Sequence, residues 1–415
     1  MRYSGRKGRG HMRIAFAILI SLVLAVSLSA QTRPRGRDLG IPFPGQTGPN
    51  NSITDIPGIA VGHVTLIEGE GKLIPGKGPI RTGVTAILPR PKGNWDPVFA
   101  ATFNLNGNGD MTGINWIKES GFLEGPILLT GTHSVGTVRD AAIQWQLKNG
   151  RQFLFTYPVV AETFDFLNDA NGEHVKPIHA MQALDNAKPG LVQEGAVGGG
   201  TGMGCNGFKG GIGTSSRVLS TQAGGYTIGV LVQCNYGGDL RILGVPIRPE
   251  IGDLRICTTL PQPLTREWTR GIPSCTAAAP DRNAPAAEYE GRGSIIVIVA
   301  TDAPLLPHQL ERLTRRVGMG LGRLGSWAGN SSGDLFLAFS TANAGAANST
   351  GTPSLTMLPN DRIDPLFQAT IDATEEAVVN AMLAAETMTG ADGIRVFGLP
   401  GDRVVAALRK YNRMN

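Results

Sequence analysis

The sequence has few of the patterns that mark metal or nucleotide sites. Its four cysteines, Cys205, Cys234, Cys257 and Cys275, include no C-x-x-C pair and no zinc-type spacing. No glycine-rich stretch ends in the G-K-[ST] of a phosphate loop. Aromatic residues make up only 6% of the 415 residues, whereas there are 57 glycines. These features favour a protein of many tight turns and do not point to a metal or nucleotide cofactor.

The chain also lacks an excess of one charge outside its first residues. Residues 1–13 carry five basic side chains and no acidic one, and the apolar run IAFAILISLVLAVSLSA then ends in small residues. This pattern predicts a secretory signal peptide over residues 1–30, and the 17-residue run is short for a membrane span. Its removal leaves 33 basic and 33 acidic residues, so the charge gives no reason to expect a nucleic-acid partner. We therefore expect an exported protein, periplasmic or secreted, without a stable membrane span.

Strand and helix patterns alternate along the rest of the chain, which predicts an α/β layered fold. YTIGVLVQCNYGG predicts a strand that ends at Asn235, and further strands are predicted at 295–300 and 334–341. Helices are predicted at about 305–323 and from Asp364 to about Thr389. Five prolines mark residues 258–293 as a long loop. A disulfide between Cys257 and Cys275 would close part of this loop, but four ordinary buried thiols are as consistent with the sequence.

Ser294 stands where a glycine-punctuated loop meets a run of apolar residues, EGRGSIIVIV. One interpretation is that it simply begins a buried strand. The other is that the chain is cut between Gly293 and Ser294, so that the serine becomes a new N-terminus. Its α-amine, with a reference pKa of about 7.7–8.0, would then take the hydroxyl proton that a serine nucleophile must lose. The residues alone leave both interpretations open.

A second serine motif competes with it. GNSSG, residues 329–333, matches G-x-S-x-G with Ser331 in the centre, which would suit an α/β-hydrolase-like esterase. In that fold the serine follows a strand and precedes a helix, whereas here the strand-forming DLFLAF comes after the motif. The motif matches but its context does not.

Several longer blocks resemble one known family in the same order along the chain. They include NSITDIPGIAVGH, RTGVTAILPR, PILLTGTHSVG, PVVAETFD, GGGTGMGCNGFKGGIGTSSR, VLVQCNYG, GRGSIIVIVATDAPLLPHQLERLTRR and GNSSGDLFLAFST. From about residue 38 to the C-terminus, the sequence is similar to the L-aminopeptidase/D-esterase and β-peptidyl aminopeptidase family. The resemblance implies a precursor that cleaves itself into an α chain, residues 31–293, and a β chain, residues 294–415. It also implies one large domain, a four-layer αββα sandwich of the self-cleaving aminopeptidase/ornithine acetyltransferase type, in homotetramers of αβ units.

The resemblance assigns a role to each matching residue. Ser294 corresponds to the nucleophile and Asn235 to the side chain that donates to the oxyanion. Ser332 and Asp334 correspond to a serine and an acidic residue that orient the nucleophile, although a simple turn capped by an aspartate would account for them too. No metal or cofactor is implied.

Glu162 in AETFD corresponds to the acid that pairs with the free amino group of the substrate. A structural glutamate in a turn is the alternative. Some members of the family have a tyrosine two residues later, but this sequence has Phe164, which removes that hydroxyl and makes the pocket more apolar.

The sequence therefore predicts a self-processing serine aminopeptidase that removes the N-terminal residue from short peptides, amides or esters with a free amino group. The first alternative is a self-cleaving acyltransferase of the same fold, although such enzymes typically have threonine at the position of Ser294. The second is an exported protein that never cleaves itself and has no catalytic role.

Overall fold

The computed structural model describes Met1 and residues 33–269, 271–277 and 293–415, with only the backbone of Trp268. Residues 33–415 form one compact unit. Residues 2–30 of the predicted signal peptide, and residues 270 and 278–292 of the predicted loop, lie outside the described residues.

The described residues form strands and helices that alternate along much of the chain. The strands are β1 Ala60–Glu68, β2 Ile80–Leu88, β3 Val98–Gly107, β4 Phe122–Leu123, β5 Ile127–Gly131, β6 Val159–Thr163, β7 Gly204–Cys205, β8 Phe208–Lys209, β9 Gly211–Val218, β10 Thr227–Asn235, β11 Arg241–Ile242, β12 Val245–Pro246, β13 Cys257–Thr258, β14 Ser294–Thr301, β15 Gly333–Ser340, β16 Met388–Thr389 and β17 Ile394–Val396. The helices are α1 Ile114–Ser120, α2 Val135–Lys148, α3 Pro177–Asp185, α4 Arg248–Ile251, α5 Pro307–Arg323, α6 Asp364–Ala384 and α7 Gly401–Lys410.

Two sheets form the centre of the molecule. The smaller has the order β1-β2-β5-β6 and the larger the order β4-β3-β15-β14-β10-β9. In the larger sheet, β14 pairs with β10 in the antiparallel direction and with β15 in the parallel direction. The run SIIVIVAT is buried throughout, as expected of a strand in the interior of a covered sheet.

The two sheets pack face to face through apolar side chains from both. Val61, Ile87 and Leu129 of the smaller sheet share one core with Ile296, Ile298 and Leu337 of the larger. Because side chains alternate along a strand, Ile295, Val297 and Val299 of β14 face the other way and join a second core.

Helices cover the outer face of each sheet. Leu310, Leu313 and Val317 of α5 and Ala373 and Ala377 of α6 lie in the core on the outer face of the larger sheet. The smaller sheet is covered by α2 and α3, whose side chains in its outer core include Val138, Trp145 and Leu184. The predicted four-layer αββα sandwich is confirmed.

The main departure from the predicted elements lies in the proline-rich stretch. It was expected to be a loop, but β13 pairs with β17, and Leu264 and Ile272 join a small apolar core with Ile394 and Val396. Cys257 and Cys275 form a disulfide with a Cα–Cα distance of 4.9 Å, so this part of the predicted loop is packed structure. Among the described residues, we found no helix with the length and apolarity needed to cross a lipid bilayer.

Candidate active site

The ends of three neighbouring strands bring the predicted catalytic residues together. Ser294, the first residue of β14, lies opposite Asn235, the last residue of β10, and opposite Gly333, the first residue of β15. Ile296 and Ile298 of β14 face the core between the sheets, so the alternation of the strand directs Ser294 to the same side. Strand pairing alone therefore fixes the position of this hydroxyl between two partner strands.

The Ser294 side chain is held in a buried position. Its Oγ accepts a hydrogen bond from the backbone N–H of Gly333 at 3.1 Å, and the residue is 6% exposed. Gly293 before it has a φ of +150°, and a Cβ built there would lie 1.8 Å from the carbonyl oxygen of Asn235. Only glycine therefore fits the position before the serine.

Ser332 and Asp334 form a buried pair at the start of β15. The Ser332 hydroxyl donates to Asp334 Oδ1 at 2.6 Å, and the two residues are 4% and 1% exposed. Burial raises the pKa of Asp334, an effect that the bond from Ser332 opposes. Since Gly333 between them donates to Ser294 Oγ, the pair lies directly behind the nucleophile candidate.

The side-chain amide of Asn235 is fixed in one orientation. Its Oδ1 accepts from the N–H of Gly204 at 2.9 Å, and its Nδ2 donates to the carbonyl oxygen of Phe164 at 3.0 Å. An amide nitrogen carries two hydrogens, so a second N–H remains for an oxygen bound beside Ser294. Such an arrangement suits the stabilisation of an oxyanion.

Glu162, the penultimate residue of β6, is 3% exposed, and both of its carboxylate oxygens accept hydrogen bonds. Its Oε1 accepts from the N–H of Asp110 at 2.9 Å, and its Oε2 accepts from the hydroxyl of Thr132. Burial raises the pKa of this carboxyl, although both hydrogen bonds favour the ionised form. The carboxylate is thus fixed at a position where a cation would be its natural partner.

A cavity of about 610 Å³ joins these groups. It is lined by residues of both sheets and of the loops between them: Asn108, Gly109, Asp110, Thr132, Glu162, Phe164, Phe166, Gly204, Gly207, Asn235, Tyr236, Ile256, Ile272, Gly293, Ser294 and Ser331. The predicted nucleophile, oxyanion donor and amine-binding carboxylate therefore share one cavity, and Ser332 and Asp334 lie outside its lining.

Ser331, the alternative nucleophile, is exposed and lies in a turn that follows α5 and precedes β15. The α/β-hydrolase serine needs a strand before it and a helix after it. The order here is the reverse, and the esterase interpretation of GNSSG is not supported by the fold.

Sequence reasoning missed the residues that support the predicted site. Thr132 and Asp110 hold Glu162, and Gly204 orients Asn235 through its backbone. Thr132 stands directly after the buried strand ILLTG, and a polar residue at a strand end was the one available signal. Backbone donors such as Gly204 leave no signal in side-chain patterns.

The second disulfide was also missed. Cys205 of β7 and Cys234 of β10 are joined beside Asn235, with a Cα–Cα distance of 5.7 Å. These two cysteines are 29 residues apart in the sequence. Their proximity follows from the return of the glycine-rich segment to the end of β10.

Comparison with known proteins agrees with this geometry. The model of peptidase family S58 matches residues 51–396. A β-peptidyl aminopeptidase, BapA, of Sphingosinicella microcystinivorans is 49% identical over 402 residues, which cover 96% of this chain and 97% of the relative. BapA of Sphingosinicella xenopeptidilytica is 44% identical over 419 residues, 99% of this chain and 98% of the relative.

Solved structures show the same fold. The L-aminopeptidase D-Ala-esterase/amidase of Ochrobactrum anthropi, described as a prototype of the serine aminopeptidases and a variant of the Ntn hydrolase fold, superposes with a TM-score of 0.80 at 42% identity, covering 92% of this chain and 100% of that one. A β-aminopeptidase of a Burkholderia species superposes with a TM-score of 0.76 at 45% identity, covering 91% and 99%. The chain therefore belongs to peptidase family S58 and is a serine aminopeptidase of the N-terminal-nucleophile type.

Proposed function

We propose that this aminopeptidase is exported, cuts itself between Gly293 and Ser294, and then uses Ser294 to remove the N-terminal residue from short peptides, amides or esters. The observation that carries the proposal is the shared cavity, in which Ser294, Asn235 and Glu162 all form part of the wall. A nucleophile, an oxyanion donor and a partner for an ammonium group are the three groups that such a reaction needs.

In the proposed self-cleavage, Ser294 Oγ attacks the carbonyl carbon of Gly293. The bond from that carbon to the Ser294 nitrogen breaks, and the nitrogen takes up the hydroxyl proton. The resulting ester is hydrolysed by water, which leaves the carboxylate of Gly293 and a free Ser294 with both amine and hydroxyl. The hydrogen bond from Gly333 to Ser294 Oγ supports this step by holding the attacking atom in place.

In the proposed catalytic cycle, the α-amine of Ser294 takes the proton from Oγ while Oγ attacks the substrate carbonyl. The free N–H of Asn235 Nδ2 stabilises the oxyanion, and the protonated α-amine then gives its proton to the leaving amine or alcohol. Water hydrolyses the acyl-enzyme with the same amine as base. Ser332 and Asp334 hold the start of β15, and thereby Gly333, against the nucleophile.

Glu162 restricts the proposed reaction to the end of a peptide. Its carboxylate is buried and fixed by Thr132 and Asp110, and the substrate ammonium would complete an ion pair there. A peptide bond farther along a chain would bring a neutral amide to this carboxylate, which cannot pair with it as an ammonium does. We therefore propose substrates with a free amino group, among which β-peptides, peptides with an N-terminal L-residue, and D-alanine esters and amides reflect the names of the relatives.

The decisive experiment is the purification of the protein and of its Ser294→Ala variant. We expect the mature protein to run as two bands on a denaturing gel, with the smaller chain starting at Ser294. The variant should stay as one chain and be inactive, because the group that performs both steps is missing. Ser331→Ala is the matched control, since this second serine of the cavity wall should be dispensable for both.

One intact band from active protein, or normal cleavage of Ser294→Ala, would contradict the proposal. The same preparation tests two further parts of it. N-terminal sequencing of the larger chain should start near residue 31 if the signal peptide is removed, and light scattering should give the mass of four αβ units.

A further inference from the structure

One segment that lines the candidate active site is closed by a disulfide: residues 256–269 and 271–275, which we call the stapled segment. Its ends are joined through Cys257 and Cys275. At its start, Cys257 and Thr258 of β13 pair with Arg395 and Ile394 of β17. The segment is thus attached to the body of the protein at its base.

Hydrogen bonds inside the stapled segment hold its second half in place. The N–H of Thr258 donates to Pro273 O at 2.8 Å, and the N–H of Cys275 donates to Thr258 O at 2.9 Å. Gln262 Nε2 donates to Ile272 O at 3.1 Å. Ile272 therefore has a backbone fixed on both sides, which a side chain needs if it is to form a defined wall.

Arg266 connects the stapled segment to the stretch that begins with Glu162 and Phe164 and continues to Phe166. Its Nη1 donates to Phe166 O at 2.8 Å, and its Nε forms an ion pair with Asp392 Oδ2 at 3.3 Å. Both ion-pair partners are largely buried, with side chains 13% and 0% exposed. The distance between the stapled segment and Phe166 is thereby set by a charged, buried contact.

The apolar side of the cavity lies where the stapled segment meets Phe166. Ile256 and Ile272, 5% and 2% exposed, line the cavity and pack in one apolar core against which Phe166 also lies. Phe164 lines the cavity two residues before Phe166, and Glu162 two residues before that. We therefore expect a substrate residue whose ammonium group binds Glu162 and whose carbonyl oxygen binds Asn235 to lie beside the rings of Phe164 and Phe166.

We propose that the stapled segment forms the specificity wall for the side chain of the substrate's N-terminal residue, and that Ile256 and Ile272 select large apolar side chains. This inference rests on the proposed function, since it assigns one wall of the same cavity. Apolar recognition follows from the chemistry of the wall, because the burial of an aliphatic side chain between Ile256, Ile272 and the phenylalanine rings removes apolar surface from water.

The test compares Ile272→Ala with the unchanged protein on two series of substrates, of which the first consists of p-nitroanilides. In the first series the leaving group is constant and the N-terminal residue is glycine, leucine, β-alanine or β-homoleucine. We expect Ile272→Ala to lower kcat/KM for the leucine-type members about tenfold relative to the small members, since the loss of one aliphatic wall removes contacts that only a large side chain makes. In the second series the N-terminal residue is β-alanine and the leaving group varies from ammonia to a leucine amide, and its ratios should not change.

Leu264→Ala is the matched control for loss of packing. Leu264 belongs to the same apolar core and is 8% exposed, but it is not among the described residues that line the cavity. It should lower the melting temperature as Ile272→Ala does and leave the substrate ratios unchanged. Replacement of both Cys257 and Cys275 by alanine should shift the ratios in the same direction as Ile272→Ala, because the wall then loses its staple.

Three results would overturn the inference: unchanged ratios in Ile272→Ala, an equal change in Leu264→Ala, or a change confined to the leaving-group series. The failure of the proposed function is seen separately, in the unchanged protein. If that protein hydrolyses none of the substrates, the proposed function is wrong, and the inference about the specificity wall is wrong as well. If it hydrolyses the small members and the ratios stay fixed in Ile272→Ala, the wall alone is wrong.

Discussion

At the scale of single residues, two opposing effects act on the carboxyl of Glu162. It is almost fully buried, which raises its pKa, and yet both carboxylate oxygens accept hydrogen bonds that favour the ionised form. A buried carboxylate without a cation is costly. In the proposed complex, the substrate ammonium removes this cost, and binding and selectivity come from the same pair.

Glu162→Gln should therefore weaken the use of substrates with a free amino group. A hydrogen bond to a charged group contributes about 1.5–3 kcal/mol, so we expect kcat/KM to fall roughly ten- to a hundredfold. The measurement is the steady-state hydrolysis of a β-alanyl p-nitroanilide. Self-cleavage needs no substrate ammonium, so the two chains should still form in this variant.

The pH dependence follows from the raised pKa of Glu162. As the pH falls through this pKa, the carboxyl takes up a proton and can no longer pair with an ammonium group, so kcat/KM should decline on the acidic side. In Glu162→Gln the part of this decline that depends on the carboxyl should disappear, and the part caused by protonation of the Ser294 α-amine, the proposed base, should remain. A variant that keeps both the full kcat/KM and the acidic decline would show that another group binds the amine.

The candidate site was predicted from the sequence only where residues match the family blocks. Ser294, Asn235 and Glu162 stand in such blocks, and the structure brings all three to one cavity. Two other residues of the cavity wall could not be predicted, because Gly204 acts through a backbone N–H and Ile272 lies in a stretch whose prolines predicted a loop. Contacts made by the backbone or across long sequence distances leave no local pattern.

At the scale of elements, the pairing of β14 with β10 ends at Ser294 opposite Asn235, and Gly293, the residue before the proposed cut, passes close to the Asn235 backbone. Gly293 has a left-handed φ, and a Cβ there would overlap the Asn235 carbonyl oxygen at 1.8 Å. Backbone rather than a flexible side chain is in the way, so the strand end itself would have to move.

Gly293→Ala should therefore slow or abolish the formation of the two chains. The displacement of the strand end would move Ser294 Oγ from its partner Gly333 and the Asn235 backbone from its register. A time course on a denaturing gel measures the uncut fraction. Gly322→Ala is the matched control, because a Cβ at this position of α5 meets nothing within 4 Å; if Gly293→Ala cleaves as fast as this control, the close approach has no role in the cut.

Strong local patterns explain why most elements were predicted correctly. The predicted strand that ends at Asn235 and the predicted strand at 295–300 agree with β10 and β14, and the helix from Asp364 ends at Ala384, five residues before the predicted end. The pairing of Cys205 with Cys234 could not be predicted, since it depends on how a glycine-rich segment folds back on β10.

At the scale of the whole molecule, one buried carboxyl couples stability to pH. Asp165 is 2% exposed, and burial, with a smaller contribution from the nearby Glu162, raises its pKa from 3.8 to about 7. Between these values the folded chain binds a proton that the unfolded chain has lost. The stability that this group contributes is present at low pH and is lost as the pH rises through about 7.

The free energy of unfolding of the Asp165→Asn variant should consequently rise relative to that of the unchanged protein as the pH rises from 5 to 8. One pKa unit corresponds to about 1.4 kcal/mol, and about two units of the window up to pH 7 lie above pH 5, so the difference in the free energy of unfolding should change by about 2.7 kcal/mol. Denaturant unfolding in the Ser294→Ala background measures it on a single chain. Asp140→Asn, at an exposed position of α2, should show no such trend; an equal trend in both variants would refute the assignment.

The strand order of the larger sheet has a consequence for the lifetime of the proposed mature enzyme. β14 and β15 would belong to the β chain, and they lie between β3 and β10 of the α chain. The larger sheet would therefore contain strands of both chains, and their order would have been established in the uncut precursor. Once unfolded, the pieces must meet again by diffusion and insert two strands into the middle of a sheet. The mature enzyme would persist because it unfolds slowly, so that its stability would be kinetic and not thermodynamic.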